Sequence, residues 1–425
     1  MIEKMIASLL IKNAGQVVTS TGASNKALIG ETLGRIKVVE DGAVAVSGDK
    51  IIAVGPTAEI LKQIKIDQQT KVIDAVGKIV LPGLVDPHTH AVFGGSREHE
   101  LSLKLQGVPY LEILARGGGI LSSVEATRAA SEDQLVEKGI KYCRQMLAQG
   151  TTTAEAKSGY GLSTEAELKT LRAVRRVDEA QPVDLVPTFL GAHAVPKEYR
   201  QDPDRYLELV IKEMLPQVVE EKLARYCDIF CEEGVFSIEQ SRRLLLAARE
   251  AGLELKLHAD EIVPLGGAEL AAELKAVSAD HLLVISDRGI EKMAAAGVLA
   301  VLLPGTTFYL REEHYAPARK MIEAGVPVAL ATDFNPGSSP NNNLQLIINL
   351  ACLYLRMTPE EVLNAVTINA AHALGRASEV GSIEKGKNAD LVIFDAQNYE
   401  YLAYRYGTNL VYLVIKNGRV VVEAF

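Results

Sequence analysis

The densest chemistry in the chain is the run Asp86-Pro87-His88-Thr89-His90, which follows the apolar stretch IVLPGLV. Residues i and i+2 of a strand project the same way, so two imidazoles there reach one metal ion. A His-x-His pair is a weak motif taken alone. It gains weight from His193, which ends VDLVPTFLGAH, His258 near the end of LELKLHADE, and His281, which closes AVSADH, so that five of the eight histidines mark ends of predicted strands. Asp333, in VPVALATDFNPGSSP, adds an acid at the tip of an apolar strand. Buried carboxylates are costly unless paired or bound to a metal. A turn aspartate beside Asn-Pro-Gly is the plainer alternative; the company of the imidazoles favours metal binding.

Such residues converge only if the elements beneath them do. From Leu81 to about Arg376 the chain repeats a short strand-like run and a stretch of helical period. Eight runs stand out: IVLPGLVDPHTH, TTTAEAKS, VDLVPTFLGAH, ARYCDIFCEEG, LELKLHADE, AVSADHL, VLAVLLPGTT and VPVALATDFNPG. The last seven follow helical stretches. Alternation of this kind predicts an α/β fold with parallel strands, a (β/α)8 TIM-type barrel whose active face lies at the carboxyl ends of the strands. A doubly wound open sheet is the alternative. The flanks, 1 to about 70 and 385 to 425, are rich in Val, Ile and turn dipeptides such as Asp41-Gly42, Gly48-Asp49 and Asn417-Gly418. Neither flank has strands enough to bury a face alone. They are expected to join as one small β-sandwich domain, 1–80 with 385–425, beside a catalytic barrel of 81–384.

With 425 residues, 48% of them hydrophobic and 23% charged, the chain has the composition of a globular protein with a sizeable core. Its net charge of −9 argues against nucleic acid as a partner. No apolar run reaches the roughly 18 to 20 residues that span a bilayer. Four cysteines and no signal-like opening lead us to expect a cytoplasmic protein. Cys227 and Cys231, four apart, share one strand face and read as buried thiols rather than a metal pair. The glycine runs Gly94-Gly95 and Gly117-Gly118-Gly119 lack the spacing of a nucleotide fingerprint; together with Ser158-Gly159-Tyr160-Gly161 they suggest turns or a flap closing over a substrate.

The segments LPGLVDPHTHAVFGGSRE, GGGI, KSGYGL, FLGAHAVP, LHADEI, SADHL, ATDFNPGS and SIEKGKNADLVIFD, spread over essentially the whole chain, resemble the amidohydrolase superfamily. Within it they are similar to the branch that opens an imidazolone ring in histidine breakdown. The resemblance implies one Zn or Fe ion per subunit on His88, His90, His258 and Asp333; imidazole and carboxylate suit both metals. Lys157, after the second strand rather than the fourth, is not expected to be a metal-bridging lysine. The implied reaction is hydrolysis of 4-imidazolone-5-propanoate to N-formimidoyl-L-glutamate by a metal-bound hydroxide, the third step of histidine degradation.

Asp333 would then take and return the proton, with Glu261 and His281 as further acid-base groups whose shares the sequence leaves open. A solvated helix-start glutamate and a core histidine are their plain alternatives. Arg97 suits a propionate as a planar bidentate donor. By the resemblance Tyr160, His193, Glu261, Asn335, Gly337 and Ser338 also hold the small-molecule substrate, the last three in a turn whose backbone N–H groups can face an anion. A homodimer is the default assembly. Two rivals stand beside this reading: a deaminase of the same architecture, and a metal-free scaffold.

Overall fold

The computed structural model describes residues 5–20, 22–108 and 118–423. Gly117, named above with its two neighbours, lies outside them. Eight parallel strands neighbour one another in chain order: β1 (Leu84–Asp86), β2 (Thr151–Lys157), β3 (Asp184–Ala192), β4 (Tyr226–Cys231), β5 (Glu254–Ala259), β6 (Ser278–His281), β7 (Leu299–Leu302) and β8 (Val328–Leu330). The ring closes just past the ends of β1 and β8. There the Asp333 N–H donates to the His88 carbonyl at 3.0 Å, the His90 N–H donates to the Phe334 carbonyl at 2.8 Å, and Thr89 bridges Phe334. Closure of the barrel therefore falls on the residues whose chemistry first drew notice.

Helices cover the outside for legible reasons. Glu132–Ala148 begins at a capping box of Ser131 and Gln134 and buries Leu135, Val136, Gly139, Cys143, Met146 and Leu147 along one stripe. Ser237 starts Ile238–Glu250 with the same kind of box, and Ser163 starts Thr164–Ala180 by accepting the Ala166 N–H. Inside, Val85, Val186, Tyr226, Leu299, Val301 and Ala329 pack with the short helix Ile368–Ala373 as an apolar floor. The opposite end of the barrel is left to polar groups.

Both chain ends enter one further sheet. Its order is Arg419–Glu423, Val411–Lys416, Leu391–Phe394, Ile79–Pro82, Leu9–Thr19, Lys37–Ser47 and Lys50–Pro56, with Lys71–Asp74 also on Leu9–Thr19. The seam between the ends is the antiparallel pairing of Leu391–Phe394 with Ile79–Pro82. Gly48-Asp49 and Asn417-Gly418 are hairpin turns, joining Ser47 to Lys50 and Lys416 to Arg419.

Two local expectations change. Asp41-Gly42 is no turn but lies within the strand Lys37–Ser47, because a Cβ on Gly42 would stand 2.5 Å from Val17 Cγ2 and only glycine allows that approach. The run IVLPGLVDPHTH is two strands in different sheets. Pro82 has no N–H to continue a ladder, and at Gly83, whose N–H donates to Asp390 at 2.8 Å, the chain passes into the barrel. Cys227 and Cys231 are buried free thiols. Among the described residues no helix is long and apolar enough to cross a membrane.

Candidate metal centre

The five strand-end histidines form one cluster. Ring centroids of His88 and His258 are 4.6 Å apart, those of His258 and His281 5.2 Å, and His90 stacks on His193 at 5.0 Å. Asp333 joins them from β8 in a left-handed conformation, φ 51°, uncommon for a residue with a Cβ and sustained here by the closure bonds. Its Oδ2 accepts from Thr306 Oγ1 at 2.6 Å, while Oδ1 lies 3.4 Å from His88 Nε2 and 3.8 Å from His90 Nε2.

This donor set fits a metal ion. Nε2 of His88 and Nε2 of His258 are buried without any hydrogen-bond partner, a costly state unless a cation takes the lone pairs. Bonds of about 2.1 Å in a tetrahedron put donor atoms about 3.4 Å apart, close to the His88–Asp333 spacing. Donor atoms of His88, His90 and Asp333 lie within 4.8 Å of one another, as do those of His88, His258 and His281, and those of His90, His193 and His258. Burial holds His88, His90 and His281 well below the usual imidazole range and lowers His193 to about 3; neutral imidazole is the form that ligates. At His258 burial acts the same way but the Asp228 carboxylate outweighs it and lifts the value. Burial pushes the Asp333 carboxyl up to about 6 against the Thr306 hydrogen bond.

Beneath the histidines lies a layer of charge of which the sequence singled out Lys157 alone. Asp280 Oδ2 is 2.6 Å from His88 Nδ1, and Asp228 Oδ2 is 3.0 Å from His258 Nδ1. Lys157 reaches Asp228 at 2.7 Å, Glu155 at 3.0 Å and Asp280 at 3.4 Å, and Lys256 pairs with Glu155 at 2.7 Å. All five side chains are fully buried. Burial works against the charge on Lys157, yet the three carboxylates outweigh it and raise its value above the ordinary ammonium range. That cation is committed to ion pairs with three carboxylates. The available clue was the period-two alternation Glu155/Lys157 and Lys256/His258, polar where barrel interiors are ordinarily branched and apolar.

Around the mouth the other singled-out residues gather. Glu261 Oε1 is 3.4 Å from His281 Nδ1, and burial, with the Asp333 charge, pushes the Glu261 carboxyl up to about 8. Its loop hangs on Glu232, a buried residue also missed from sequence, whose carboxylate accepts the N–H groups of Glu261, Ile262 and Val263 at 2.9–3.1 Å. The Tyr160 ring lies 5.4 Å from His90 and 5.2 Å from His193. Its loop is pinned rather than free to swing, since the Glu167 carboxylate accepts from the N–H groups of Gly159, Gly161 and Leu162 at 2.7–3.1 Å.

Arg97 donates through Nε and Nη2 to Glu100 at 3.0 and 2.9 Å, which leaves Nη1 against Gly337. Thus residues 240 positions apart meet. The N–H groups of Gly337 and Ser338 behave differently from the expectation: both donate to Asn335 Oδ1 at 2.8 Å. Asn335 holds the loop from within, and its Nδ2 donates to the Asp333 carbonyl at 2.7 Å.

Comparison with known proteins gives the family. The Amidohydrolase family profile matches residues 79–421, and that of an Imidazolonepropionase-like composite domain from bacteria matches residues 42–63. The chain is 56% identical over 99% of its length to the imidazolonepropionase of Alkaliphilus metalliredigens, covering 99% of that protein. It is 57% identical over 99% of its length to that of Shouchella clausii, covering 94% of it. A zinc-bound adenosine deaminase from Xanthomonas campestris shares the fold with a TM-score of 0.73 at 20% identity, over 99% of this chain and 94% of that one. The Escherichia coli guanine deaminase does so at 0.72 and 16%, over 98% and 99%. The chain belongs to the amidohydrolase family, in its imidazolonepropionase branch of hydrolases acting on carbon–nitrogen bonds.

Proposed function

We propose that the protein hydrolyses 4-imidazolone-5-propanoate at its ring amide to N-formimidoyl-L-glutamate, with one zinc or iron ion per subunit on His88, His90, His258 and Asp333. The observation that carries this reading is a pairing at one barrel mouth. Buried imidazole nitrogens that lack partners face a carboxylate, and the loop that follows this carboxylate packs on a guanidinium suited to a propionate. A bound ion would supply Lewis acidity and a water acidified to a pKa of about 7.

The chain's own residues do the rest. Asp333 turns Oδ1 toward the imidazole nitrogens that would share the ion, and Oδ2, oriented by Thr306, is left to take the proton of the attacking water and return it to the departing ring nitrogen. Glu261 and His281, in contact at 3.4 Å, hold a ring N–H and the developing oxyanion. Arg97 takes the propionate, and Tyr160 and His193 wall the ring. Asn335, Gly337 and Ser338 serve by shaping the loop on which Arg97 rests. The same reading makes 1–80 with 385–425 a supporting domain, 81–384 the catalytic one, and the enzyme a cytoplasmic homodimer, the commonest symmetry.

The test is turnover of imidazolone propanoate by metal-analysed protein. Loss of the imidazolone absorbance without ammonia is expected; ammonia released without ring opening would make the protein a deaminase instead.

A further inference from the structure

Lys157 takes no part in the hydrolysis proposed above, yet it sits fully buried under the metal ligands. A ligating imidazole must offer Nε2 unprotonated, so its Nδ1 carries the hydrogen and needs an acceptor that also fixes the ring. His88 Nδ1 is hydrogen-bonded to Asp280 Oδ2 at 2.6 Å, and the oxygen placed for His258 Nδ1 is Asp228 Oδ2, an ion-pair contact at 3.0 Å that lacks the geometry of a hydrogen bond. The same two oxygens are the ones that Lys157 Nζ contacts, at 3.4 and 2.7 Å. His88 follows β1 and His258 belongs to β5, opposite sides of the ring, so one ammonium spans both sides of the metal centre.

We propose that Lys157 is a positioning residue for the metal site, clamping the carboxylate partners of His88 and His258 so that both imidazoles are aimed by a single cation. A charge placed there only to neutralise its neighbours would have no need to share the oxygens that the rings use. Glu155, at 3.0 Å and itself tied to Lys256 at 2.7 Å, is a third carboxylate around the ammonium. The clamp rests on the metal reading of the site.

The test measures zinc affinity of the full chain by competition with a chromophoric chelator, for the parent, Lys157→Met, Asp280→Asn and the double variant. Lys157→Met should weaken zinc binding by about tenfold or more, and the double variant should be little weaker than the poorer single. A folded Lys157→Met within twofold of the parent, or single effects that multiply in full, would overturn the clamp. Should Lys157→Met not fold, imidazole nitrogen NMR of zinc-loaded Asp280→Asn decides: the His258 Nδ1 signal must shift although its own partner is intact, and an unmoved signal overturns the proposal. A parent that binds no zinc fails the metal reading itself, and the clamp falls with it.

Discussion

Replacing Gly337 with alanine tests the substrate clamp without touching a charged group. A Cβ there would fall 1.9 Å from Arg97 Nη1 and 2.7 Å from Cζ. Comfortable contact begins near 3.5 Å, so the guanidinium must retreat by about 1.6 Å. Gly337 is not among the residues of positive φ, and alanine brings no backbone strain. Retreat is opposed by the two bonds to Glu100, which is itself held by the Gly119 N–H at 2.7 Å. The guanidinium therefore either breaks that pair or tilts away from the substrate. A charge-assisted hydrogen bond is worth about 1.5–3 kcal/mol, or about 10- to 100-fold in affinity. Steady-state kinetics should show KM raised by that factor with metal content unchanged. In an Arg97→Ala background the same substitution should add almost nothing. An unaltered KM, or a full extra loss when Arg97 is already absent, would refute the idea that Gly337 acts through Arg97.

Other consequences are simpler to read. His258→Ala should lose metal and activity together, by elemental analysis and turnover; full metal occupancy with no activity would contradict its role as a ligand. The Glu261 carboxyl, pushed up to about 8 by burial, is deprotonated as pH rises, so if it acts as base the rate climbs through its pKa. A bound cation favours the ionised form and moves that limb below pH 8. Glu261→Gln should remove the limb from the kcat profile, and an unchanged profile would show that Glu261 is not the base. Glu232→Gln leaves one acceptor oxygen where a carboxylate served three N–H groups. It should cost roughly 1–3 kcal/mol of stability and lower kcat with metal retained; an unchanged unfolding midpoint and kcat would show that the loop after β5 does not depend on it.

The strand-end histidines and Asp333 were legible because a strand's period of two and an apolar run before each tip leave few places for them to point. Lys157, Asp228, Lys256 and Asp280 were not, since a charge inside an apolar strand looks costly until its partner, 30 to 123 residues away, is known. Glu155 and Thr188 show the same point, joined by a 2.5 Å hydrogen bond across two strands that no local pattern pairs. The loop Asn335 to Ser338 turns as its composition suggests, but where its N–H groups go is not legible locally, because an Asn side chain competes for donors in its own loop. The union of the two termini was visible from a shortage of strands in each flank; the break at Gly83 was hidden by apolar residues that suit either sheet.

The most direct measurement is X-ray absorption at the metal edge of zinc- or iron-loaded protein, paired with anomalous diffraction to locate the ion. One ion per chain is expected, with three imidazole nitrogens and one carboxylate oxygen at about 2.0–2.2 Å, from His88, His90, His258 and Asp333. An ion bound without His258 or Asp333, or located away from the barrel mouth, would contradict it.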